Sequence, residues 1–87
     1  MTQLPDMPRL NRRFRMQWEE TQKAHVLLYP EGMVRLNQSA GEILKRCDGA
    51  TTVDDIVAQL EQQFNTSGLH DDVVDLLAHA LGQDWIQ

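Results

Sequence analysis

The side chains best suited to attack a substrate or to ligate a transition metal are the single cysteine, Cys47, and the three histidines, His25, His70 and His79. A cysteine acts only as a thiolate, in a polar and partly open setting. Cys47 instead falls on an apolar stripe with Ala40, Ile43 and Leu44, where a free cysteine packs as a small hydrophobe. The histidines are scattered, with no second cysteine and no HExxH spacing. Asp75 and His79 stand one helical turn apart and could share a metal ion, but two ligands do not make a site, and the pair reads as a solvated helix face. There is no glycine-rich phosphate loop. Gly41 lies in the first turn of a helix, where it costs about 1 kcal/mol relative to Ala, and is read as permitting close packing. The expectation is a protein that is not an enzyme and uses no metal or cofactor.

Size bounds what else is feasible. With 87 residues the chain makes one domain, burying roughly 60–65% of its unfolded surface, so a deep cavity for a large substrate is not expected. One cysteine forms no internal disulfide, the N-terminus lacks a charged and then apolar signal, and no apolar run approaches the ~20 residues of a membrane span. These features point to a soluble cytoplasmic protein without a membrane partner.

The elements follow from periodicity. Residues 1–10, with Pro5 and Pro8, show none and are expected to be a flexible arm. Residues 13–18 alternate, with Phe14, Met16 and Trp18 on one face, as a half-buried strand should. Residues 24–29 form an apolar run suited to a strand covered on both faces. Pro30, Glu31 and Gly32 supply turn chemistry, so that 33–36 returns as a hairpin partner. Ser39 and Glu42 have the spacing of a capping box for a helix over 39–48, with Asn37 a competing cap and Gly49 placed to stop it in a left-handed conformation. Thr51 or Thr52 caps a second helix over 52–64, whose stripe is Val53, Ile56, Val57, Leu60 and Phe64. A third, over 69–81, turns Leu69, Val73, Leu76, Leu77 and Ala80 inward, and Trp85 and Ile86 pack back as a tail. The fold class is α+β and winged-helix-like: a three-stranded antiparallel N-terminal sheet followed by a three-helix bundle.

A winged-helix plan makes DNA binding the first function to test, and charge excludes it. Residues 1–38 carry six cations against four anions, whereas residues 39–87 carry two against nine, within a net charge of −5. The last helix, the obvious groove reader, offers Asp71, Asp72 and Asp75 and no Lys or Arg, the wrong sign for phosphates. What remains is the third strand. Its unpaired edge can accept an extended peptide, with the third helix as the opposite wall and its carboxylates favouring Lys or Arg. The same edge is equally open to being capped by a loop or paired in a homodimer.

The string HVLLYPEGMVRLNQSAGEILKRCDG over 25–49, followed by Thr52-Val53 and Ile56 and preceded by Arg9-Leu10, Phe14-Arg15 and Gln17-Trp18-Glu19, closely resembles the pyrroloquinoline quinone (PQQ) biosynthesis peptide chaperone family, PqqD. The resemblance spans about Pro8 to Trp85. It implies a recognition element for ribosomally made, post-translationally modified peptides (RiPPs), one that binds the precursor peptide PqqA and presents it to PqqE, a radical S-adenosylmethionine enzyme. It further implies leader binding as an added strand. Met33, Val34, Arg35 and Leu36 would form the backbone ladder, and Asp71, Asp72, Asp75, Leu76 and His79 the groove wall. The basic segment Arg9 to Arg13, or a hairpin face carrying Arg15 and His25, would be left for the enzyme. A recognition element for another modified peptide and a structural dimer module are the alternatives.

Overall fold

Alternating side chains along the first third of the chain build a sheet with one apolar face. In the computed structural model, which describes residues 4–87, β1 (Arg15–Glu19), β2 (Ala24–Tyr29) and β3 (Gly32–Arg35) form an antiparallel meander in the order β1-β2-β3. Pro30 and Glu31 are the whole hairpin loop, closed by the Tyr29–Gly32 pair. In the register, Leu27 stands opposite Met16 and Val34. Opposite residues share a face, so these three point to the core, where Leu27 is inaccessible to water. β1 begins two residues later than its alternation suggested: Phe14 belongs to a turn closed by its amide on the Asn11 carbonyl, and its ring packs 5.3 Å from that of Tyr29.

β2 is covered on both faces, as its apolar run suggested: Leu27 on the helix-facing side and Val26 on the other are both fully buried. The register neighbours of Val26 are Gln17 and Arg35, whose long stems suit them to shade a small side chain in the central strand.

The helices are α1 (Gln38–Leu44), α2 (Val53–Gln63) and α3 (His70–Gly82). The start of α1 corrects the expected capping box. Asn37, two residues past the end of β3, accepts the Ala40 amide at 2.7 Å, so Ser39 lies inside the helix and Glu42 is released from capping. Asn is as good a cap as Ser, and the strand hands over to the helix sooner when Asn37 takes the role. Burial pushes the Glu42 carboxyl up, but hydrogen bonds from Arg46 and Lys45 outweigh it and hold the group below the usual carboxylate range. Arg46 also reaches Gln59 and Gln63, joining α1 to α2. Of the two expected caps for α2, Thr52 takes the role, accepting the Asp55 amide at 3.1 Å. α3 has no side-chain cap of its own at Leu69. Glu61 of α2 accepts the Leu69 amide at 3.0 Å instead.

α1 also ends earlier than expected, at Leu44, with turns carrying the chain to Cys47. Gly49, at φ +78°, closes no helix. It forms part of the seat of the N-terminal segment, donating its amide to the Pro8 carbonyl at 3.1 Å. From Pro8 onward the expected flexible arm is docked: Pro8 is fully buried, and Arg9 and Leu10 bridge to Asp48 and Ile86. Backbone hydrogen bonds hold this segment, which is why it carries no side-chain periodicity. Residues 1–3 of the expected arm lie outside the described residues.

The core gathers Leu27 and Leu36 from the sheet side, Ala40, Ile43 and Leu44 of α1, Cys47 just beyond it, and Ile56, Leu60, Val73, Leu77, Ala80 and Ile86. Gly41 packs against the sheet as anticipated for a small residue. A Cβ there would come within 2.9 Å of the His25 Nδ1, and the His25 ring is itself held edge-on to Trp18. Burial, with the negative Asp48 beside it, pushes the Cys47 thiol up to about 12. Cys47 should therefore be inert to a thiol reagent at pH 8 in the folded protein and react fully in denaturant, as followed by absorbance. Because the thiol ionises more readily in the unfolded chain, Cys47 adds a loss of stability as pH rises from about 9 towards 12.

Candidate functional site

Both outer strands, β1 and β3, leave an edge of the sheet unpaired, and the candidate site is the edge of β3. Among the described residues β3 pairs with β2 alone. The Leu36 amide donates to the His25 carbonyl at 2.9 Å, and in an antiparallel ladder such bonding recurs at every second residue. Val34, two residues back and opposite Leu27, therefore also turns its N–H and C=O toward β2. Met33 and Arg35 turn theirs outward. Of the four residues proposed for a backbone ladder, Met33 and Arg35 thus carry the free groups, while Val34 and Leu36 lend side chains to the helix-side face; Leu36 is buried and Val34 half-buried.

Side-chain parity separates another pair. Arg15 stands opposite Leu28 and shares the helix-free face with Arg35 and Met33, whereas His25 stands opposite Trp18 on the helix-covered face. A single hairpin face carrying both Arg15 and His25 does not exist.

On α3, Asp71, Asp72, Asp75 and His79 are exposed and Leu76 is half-buried against the core. The structure does not bring these five to one place. His79 is turned to the C-terminal tail, its ring 5.3 Å from Trp85, and Asp71 contacts His70 at 3.3 Å. Asp72 alone lines a cavity of about 320 Å³ among the three helices. The floor of that cavity includes Ile43, Leu60 and Val73, and its rim includes Phe64, Leu69 and Gln38. Sequence reasoning placed most of these apolar residues in the core and missed the hollow between them. The available signal was Phe64, an apolar residue in the last turn of α2 beside the polar Asn65–Gly68 turn. It is left 43% exposed. No group of three or more His, Cys, Asp or Glu gathers for a metal among the described residues. None of their helices is long and apolar enough to cross a membrane.

A three-stranded meander with a free third edge, followed by three helices, defines a winged-helix-like domain. The same architecture is found in the solution structure of the PqqD truncation of Methylobacterium extorquens PqqCD, which is described as a functional, stand-alone RiPP recognition element. It superposes with a TM-score of 0.81 over 100% of this chain and 95% of that one, at 30% sequence identity. The family described as Coenzyme PQQ synthesis protein D (PqqD) matches residues 24–86. Two curated relatives are each named "PqqA binding protein". The one from Azotobacter vinelandii is 49% identical over 99% of this chain and 95% of its own length. That from Acinetobacter baylyi is 50% identical over 91% and 81%. The chain belongs to the PqqD family.

Proposed function

We propose that this protein binds the precursor peptide PqqA in PQQ biosynthesis by adding it as a fourth strand to β3, and that it holds the bound peptide for the radical SAM enzyme PqqE. The observation that carries the reading is the unpaired outer edge of β3, where Met33 and Arg35 present amides and carbonyls that no other described segment uses. The names of the relatives support the peptide, and the recognition-element description of the Methylobacterium domain supports the mode. No chemistry is assigned to the chain itself. A disordered precursor gives up chain entropy and gains main-chain hydrogen bonds. Holding its leader beside the enzyme raises the effective concentration of the part to be modified.

The test is an amide NMR titration of the labelled protein with synthetic PqqA. Shifts concentrated at Met33 to Leu36 and along α3 support strand addition; an unchanged spectrum at high peptide concentration removes the function. Wall residues on α3 are tested by charge. Asp72→Lys combined with Asp75→Lys should weaken binding of a peptide carrying Lys or Arg by about tenfold at low salt, and flatten the salt dependence that remains. Indifference of the affinity to both changes would leave the acidic face merely solvated.

A further inference from the structure

A main-chain ladder reads no sequence, so a strand-adding site needs side-chain pockets to select its peptide. Resting on the strand-addition reading, we propose that the cavity among α1, α2 and α3 is the anchor pocket of the bound peptide. It takes one bulky aliphatic or aromatic side chain lying just past the Arg35 end of the paired segment, with a neighbouring Lys or Arg on Asp72.

Four observations meet here. The cavity measures about 320 Å³, at the small end of the ~300–1,000 Å³ typical of ligand sites, which suits a side chain rather than a whole ligand. Its apolar floor of Ile43, Leu60 and Val73 is buried, yet Phe64 at the rim stands 43% exposed. An occupant that covers this ring removes apolar surface from water, which favours binding. The lining contains no Lys or Arg, and its two carboxylates differ. Glu42 is taken by Arg46 at 2.9 Å and Lys45 at 3.1 Å, whereas Asp72 has no ion pair or side-chain hydrogen bond among the described residues. The mouth also lies close in the chain to the Arg35 end of β3. Gln38 borders it, three positions beyond Arg35, so a strand running along the β3 edge is led toward the opening.

The experiment follows amides and methyls together while PqqA is titrated into the labelled protein. Shifts of the Ile43, Leu60 and Val73 methyls that saturate with the Met33 and Arg35 amides support the anchor. Amide shifts with silent methyls overturn it and leave strand addition standing; if both are silent, both readings fall. Thr66→Trp, which places an indole at the cavity mouth from an exposed turn position, should weaken PqqA at least tenfold while the thermal midpoint is kept. An alanine scan of the peptide should find one bulky apolar position with a loss of tenfold or more. Replacing the adjacent cation should weaken binding to the native protein and leave binding to Asp72→Asn unchanged. A flat scan, or a cation effect that persists in Asp72→Asn, overturns the assignment.

Discussion

Arg35→Pro is expected to leave the protein folded and to weaken PqqA binding by roughly 10- to 100-fold, the effect of about 1–3 kcal/mol from one unmade, desolvated hydrogen bond. The Arg35 amide faces away from β2, so its loss costs the sheet no ladder bond, and proline is tolerated at such edge positions. Val34→Pro behaves in the opposite sense. Its amide faces Leu27 across the β2–β3 ladder, so proline there unpairs the hairpin and lowers stability before any peptide is added. Arg35→Ala, which keeps the amide and deletes the charge, should retain affinity within a few-fold. Isothermal titration, with circular dichroism as the folding control, measures all three. Equal affinity for Arg35→Pro and Arg35→Ala would show that the peptide does not pair at this edge.

The second large effect is on stability. Leu77 is fully buried in the middle of α3, and truncating it to Ala should cost about 3–4 kcal/mol, transfer and cavity terms together. A domain of this length has only ~4–13 kcal/mol to lose, and each 1 kcal/mol lowers the midpoint by roughly 4–8 °C. A fall of at least 12 °C is therefore expected in a thermal melt. Leu76→Ala, at the neighbouring half-buried position, should cost less than half as much. Similar losses at both positions would mean that α3 is rotated from the orientation described.

These contrasts depend on information that a sequence carries unevenly. The α1 stripe and the Thr52 cap were legible because both are local: a period of 3.6 residues, or a hydroxyl three positions before an amide, is set within one turn. The choice between Asn37 and Ser39 was open from propensity alone, and was decided by where β3 ends. Which β3 amides point outward depends on the parity of pairing with β2, which no single strand records. The same parity put Arg15 and His25 on opposite faces although each lies in a readable strand. Docking of residues 8–11 was invisible for another reason: its bonds run through main-chain atoms that every residue type shares. The cavity was hidden because Ile43, Leu60 and Val73 look the same in a pattern whether or not the space before them is filled.

The pairing of Arg9 and Leu10 with the final residues has a practical side. The Arg9 amide donates to the Gln87 carbonyl, and the Gln87 amide returns to Arg9 at 2.8 Å. Residues at the two ends of the domain are thus one strand spacing apart, about 5 Å, and leave it side by side. Such a unit can be spliced into a surface loop of an unrelated host without prying that loop open, or relinked with its order rotated, and in either arrangement the β3 edge stays uncovered. Geometry of this kind makes the domain a portable cassette, able to carry the proposed peptide site into a larger chain.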